Sequence, residues 1–115
     1  MDLLGRLRRR RRGASRTGDG ADEAHLRSWA AAHDGVEAFV EPRTAVTETT
    51  VLLVDAVGEW TRRRVQSPDR ARRLARSLKI PIYDVELLGY PQRMRDHDAR
   101  QRILRERDRR RDLER

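Results

Sequence analysis

A chain of 115 residues with 27 basic and 19 acidic side chains, a net +8, has room for one domain with a modest core and carries a surplus of positive charge. It has no cysteine, which excludes disulfides and thiolate metal sites, and no apolar run near the ~20 residues of a membrane span. Leu, Ile, Val and Phe concentrate between Val36 and Tyr90, so the centre can fold while the two ends cannot build cores of their own.

Residues 1–18, "MDLLGRLRRRRRGASRTG", read as a disordered basic arm containing Arg8, Arg9, Arg10, Arg11 and Arg12. No apolar stretch of secretory type follows it, so a cytoplasmic protein is expected. The domain is expected over residues 19–98. Leu26, Trp29, Ala30 and His33 fall on one face of a helix over about 21–33, with Asp22 and Glu23 in its first turn and Gly35 as a stop. "GVEAFVEPRT" alternates as a strand ended by Pro42, with Val36, Ala38 and Val40 on one face and Phe39 on the other. A hairpin follows, Thr49 to Asp55 and Trp60 to Val65, joined by a loop that ends at Gly58. "SPDRARRLARSL" is a helix with Ser67 as N-cap, Pro68 at its first position and Ala71, Leu74, Ala75 and Leu78 as its buried stripe.

"IPIYDVELL" is bounded by Pro81 and Gly89 and is expected to be a strand, so helix 68–79 joins two strands as a crossover. The last segment, from about Asp96 to Glu114, is a charged helix whose end, residues 99–115, is expected to project as an extension. The order α-β-β-β-α-β-α predicts a small α+β domain of about four strands and two to three helices.

Charge is segregated along the chain. Residues 1–16 carry +6, residues 17–61 carry −7, residues 62–83 carry +7 and residues 84–115 carry +2. The third block is the candidate site: Arg62, Arg63, Arg64, Arg70, Arg72, Arg73, Arg76 and Lys79. With Ala71 at zero and 100° per residue, Arg70, Arg72, Arg73 and Arg76 fall between roughly 100° and 260°, opposite the apolar stripe. Like charges at such spacing repel by a few tenths of a kcal/mol per pair, a cost that an anionic ligand would offset. Phosphate beside a fork of arginines near a helix N-terminus is a sound site. The bland alternatives are a solvated face, or pairing with Glu37, Glu41, Glu48, Asp55 and Glu59 within the fold or across a dimer. Trp60 and Tyr90 are the candidates for stacking on bases, against packing in the core or as a lid.

Three stretches, "VEAFVEPRTAVTETTVLLV", "GEWTRRRV" and "IPIYDVELLGYPQRMRDHDAR", resemble a set of short, uncharacterised actinobacterial proteins, some labelled oxidoreductase. The resemblance spans about residues 25–100 and implies no particular activity. A redox function gets no support from the residues: no G-x-G-x-x-G follows a strand, and there is no cysteine pair or flavin motif.

No metal site and no cofactor is expected. His25 and His33 are eight apart on one helix, too far to share an ion without a third ligand, and "DHD" at 96–98 lacks converging groups. His33 is instead read as a helix C-terminal cap. No nucleophile elbow or H-E-x-x-H is present, and Asp55 with Glu59, or Asp84 with Glu86, would be ordinary turn carboxylates. The expectation is a non-enzymatic protein whose arginine surface contacts a polyanion, RNA before DNA. A protein-interaction module or homodimer, and a small enzyme with an unreadable site, are the alternatives. An anionic membrane surface is the less favoured partner for residues 1–12.

Overall fold

The computed structural model describes residues 20–115. The predicted basic arm, with Arg8–Arg12, lies outside them. The chain runs α1 (Gly20–Ala32), β1 (Glu37–Glu41), β2 (Thr50–Val54), β3 (Trp60–Arg64), α2 (Pro68–Leu78), β4 (Ile82–Asp84), α3 (Val85–Leu88) and α4 (Gln92–Glu114). This is the expected α+β architecture, with the single turn α3 added.

The strands form one mixed sheet in the order β3-β2-β1-β4. β1 and β2 pair antiparallel with Phe39 opposite Leu52, β2 and β3 pair antiparallel with Leu52 opposite Arg62, and β1 pairs parallel to β4 with Phe39 opposite Tyr83. The two inner strands are buried on both faces, which is why "AFV" and "VLLV" read as continuous apolar runs.

One face carries Ala38, Val40, Val51 and Leu53 and is covered by Leu26 of α1 and by Ala71, Leu74 and Ala75 of α2. The other carries Phe39, Leu52 and Val54 and is covered by Met94 of α4, with Trp60, Tyr83 and Tyr90 at the margin. Each fully buried Leu or Val contributes roughly 1.5–3 kcal/mol, so the fold rests on these two small clusters.

Local signals explain the element ends. Ser67 accepts from the Arg70 amide at 3.1 Å, Pro68 opens α2, and Lys79 closes it in the left-handed conformation (φ 57°). In the β2–β3 loop, Asp55 Oδ1 accepts from the amides of Val57 (3.0 Å) and Glu59 (2.9 Å). Gly58 turns the loop with φ 95°, and a Cβ there would lie 2.1 Å from the Arg93 carbonyl oxygen. The loop is thereby fitted against the start of α4.

Two expectations are corrected. The strand expected through Leu88 stops at Asp84, because the Asp84 side chain accepts from the Glu86 amide at 2.8 Å and caps α3. Leu87 and Leu88 are left exposed. The expected crossover through α2 is present, and the strands it joins, β3 and β4, are opposite edges of the sheet, so α2 spans it. The last helix starts at Gln92 rather than near Asp96 and runs unbroken through 98–99. Its first turns are anchored by buried Met94, and residues beyond Ala99 are exposed except half-buried Glu106.

Candidate functional site

The predicted arginine patch divides into two groups. β3 alternates, so Trp60, Arg62 and Arg64 share the sheet face of Leu52 and Val54, while Thr61 and Arg63 point to the α1 side. Arg62 is drawn inward by a two-pronged bond to Glu41 of β1, Nε at 2.6 Å and Nη2 at 2.9 Å. Arg63 reaches Asp22 of α1 at 3.7 Å, and Arg70 of α2 reaches Glu23 of α1 at 2.5 Å. The negative block early in the chain therefore neutralises part of the positive block, through Asp22, Glu23 and Glu41. Of these, only Glu41 is among the partners expected from the sequence. Asp22 and Glu23 stand in the first turn of α1, where the helix dipole by itself accounts for acids.

Around Glu41 the pairs merge into a network. Thr50 Oγ1 donates to the carboxylate at 2.8 Å, and the Tyr90 hydroxyl also donates to it. Burial pushes the Glu41 carboxyl up, but the hydrogen bonds from Arg62, Tyr90 and Thr50 outweigh it and hold the group below the ordinary value of 4.5. The same carboxylate raises Arg62 and, mainly through its hydrogen bond, raises Tyr90.

Neither stacking candidate is a free ring. Tyr90 packs at the margin of the second cluster with its hydroxyl engaged by Glu41, and Trp60 donates its indole N–H to Asp98 at 2.9 Å. The Arg62 guanidinium lies 5.1 Å from the Trp60 ring centre, a further internal contact.

The second group faces solvent. Arg72, Arg73 and Arg76 line one open concavity of about 330 Å³ on the outer side of α2, with Asp69 the fourth lining residue. Asp69 takes Arg72 at 2.5 Å, but both side chains are more than half exposed, and such a pair is worth a few tenths of a kcal/mol. Among the described residues Arg73, Arg76 and Lys79 have no carboxylate within 4.0 Å. The exposed part of α4 adds a second basic element: residues 100–115 hold eight arginines and four acids. Some of its charge is compensated along the helix, by Arg109 and Arg110 on Glu106 and by Arg111 on Asp108.

A grouping that the linear sequence did not reveal lies at the other end of the sheet. His33, just past α1, meets Asp55 and Glu59, the residues flanking the β2–β3 loop. That Asp55 and Glu59 flank one turn is legible in the sequence. The third member is not, because it depends on how the α1–β1 loop packs. His25, by contrast, is engaged with the Thr61 hydroxyl at 2.7 Å.

Comparisons with family models, with curated proteins and with solved structures return no match to this chain. Among the described residues no helix is long and apolar enough to cross a membrane.

Proposed function

We propose that this is a cytoplasmic, non-enzymatic protein that binds a polyanion, RNA first, through the outer face of α2, with the distal part of α4 as a second basic element. The observation that carries the reading is the placement of Arg72, Arg73 and Arg76 side by side on one exposed helix face with a single opposing acid. Guanidinium groups so arranged suit phosphate, because each presents a planar fork of donors, and only Arg72 has a carboxylate beside it, the weakly held and exposed Asp69. RNA is favoured over DNA because backbone and shape contacts suffice for it, and among the described residues there is no helix-turn-helix or other groove reader. Arg62, Arg63 and Arg70 are left out of the interface, since binding through them would mean breaking pairs that tie α1 and β1 to the rest.

The test is binding of a duplex RNA by fluorescence anisotropy at several salt concentrations. Three to four phosphate contacts predict a slope of log K against log salt of roughly −3 to −4 from α2 alone, steeper where α4 and the N-terminal segment contribute. Arg72→Glu, Arg73→Glu and Arg76→Glu together should weaken binding by at least tenfold while circular dichroism stays unchanged. Salt-independent binding, or an undiminished affinity in the triple variant, sinks the proposal.

A protein-interaction reading rests on a different observation. Ile103 is 52% and Leu104 49% exposed on the projecting helix, an apolar spot that the described residues leave uncovered. Light scattering that gives the monomer mass would remove its homodimer form.

A further inference from the structure

We propose that His33, Asp55 and Glu59 form a binding site for one divalent first-row transition-metal ion of the Zn2+ type. The ring of His33 is fixed in two ways before any ligand arrives. Its Nδ1 lies 2.7 Å from the Trp29 carbonyl oxygen, and the ring stacks on the Trp29 indole with centres 3.7 Å apart and planes 14° from parallel. A carbonyl only accepts, so Nδ1 carries a hydrogen and Nε2 is the atom left to face the carboxylates. This is the tautomer and the outer contact that a metal-binding histidine uses.

Asp55 is also held. Its Oδ1 is occupied by two backbone amides of the loop, and the carboxylate is buried, so only Oδ2 is turned towards His33. Glu59 is the adjustable member, with its side chain 53% exposed. Nε2 stands 4.0 Å from Asp55 Oδ2 and 3.5 Å from Glu59 Oε2, and the three ligand atoms lie within 4.8 Å of one another. These gaps are too wide for hydrogen bonds. They are close to the separation of about 3.4 Å between ligand atoms that sit ~2.1 Å from a tetrahedral metal.

The electrostatics ask for a cation. A neutral His33 would aim a lone pair at two carboxylates, an arrangement that is favourable only with positive charge between them. No arginine or lysine supplies it: among the described residues His33 is the only basic side chain within 4.0 Å of either carboxylate. Arg93 comes near but donates to the Asp55 main-chain carbonyl at 2.8 Å and pairs with Glu37 instead. One imidazole and two carboxylates suit Zn2+ and its neighbours better than Mg2+ or Ca2+, which take oxygen alone. Three protein ligands leave a coordination position to water.

The loops are built to keep this geometry. The Asp34 carbonyl accepts from the Ala56 amide at 2.9 Å, and Gly35, at φ 64°, leaves no room for a Cβ, which would come within 2.9 Å of the Ala56 methyl. That close approach is what sets His33 against Asp55.

The experiment is calorimetric titration of the full chain with Zn2+ alone, followed by Co2+ as a spectroscopic probe. One Zn2+ per chain is expected, with a rise in melting temperature of roughly 10 °C at about a hundredfold excess over Kd. Co2+ should give visible d–d bands that Zn2+ displaces. His33→Gln, Glu59→Gln and Asp55→Asn should each weaken binding by roughly tenfold or more. Asp55→Asn keeps the loop acceptor and removes only the ligand oxygen, so it separates loss of metal from loss of fold. His25→Gln and His97→Gln should bind as the unaltered chain does. Absence of stoichiometric binding, or binding that survives all three ligand changes, overturns the site and leaves an ion pair around a protonated His33.

Discussion

Glu41 shows how much one side chain can tie together. Its carboxylate receives Arg62 from β3, Thr50 from β2 and Tyr90 from the segment before α4, so it links the middle of the sheet, its edge and the covering helix. Because its folded pKa is lowered, its stabilising contribution is complete above the ordinary value of 4.5 and is lost as pH falls through the lower folded value. Denaturant titrations from pH 6 to pH 3 should therefore show falling stability, and Glu41→Gln should flatten part of that fall. An unchanged pH dependence in the variant would show that the network is not coupled to folding. Gly58 is the second such position. Alanine there meets both a positive φ and the Arg93 carbonyl, so Gly58→Ala should cost about 3 kcal/mol or more, seen as a drop in melting temperature of roughly 10 °C or more.

At the scale of elements, what was legible depended on how local the cause is. α2 was readable to its ends because Ser67, Pro68 and the stripe of Ala71, Leu74 and Ala75 are all within the segment. β1 is readable from its alternation and from Pro42 at its end, β2 from its β-branched residues, and Gly58 marks the loop between β2 and β3. The short β4 was misread because "DVELL" is apolar and strand-like, while the capping of the next turn by Asp84 is a single hydrogen bond that competes with it. The arginine surface was legible as a charge block but not as two groups, since the partners of Arg63 and Arg70 sit on α1, 41 and 47 residues earlier. α4 divides in the same way into an anchored start and an exposed remainder. Deleting residues 103–115 removes no buried side chain, so the melting temperature should move by no more than about 2 °C. A larger loss would mean that the distal helix is held against the domain.

For the whole molecule, the sheet order has a consequence for the order of assembly. β1, β2 and β3 follow one another as a meander, but β4 must find β1 across α2, with Ala38 opposite Ile82. Closing that loop is entropically costly, and the β1–β4 ladder gives nothing until α2 has been laid across the sheet, so the meander should form first and β4 should dock last. Val51→Ala should then slow folding, whereas Ile82→Ala should chiefly speed unfolding, as measured by stopped-flow chevrons. Equal slowing of folding by both would reject this order. Until β4 arrives, the inner strand β1 presents a bare edge of amides and carbonyls flanked by Phe39 and Val40, a template for pairing with another chain. During synthesis that edge stays open until residue 84 has left the ribosome, which makes the interval between β3 and β4 the stretch in which the nascent chain is most exposed to aggregation.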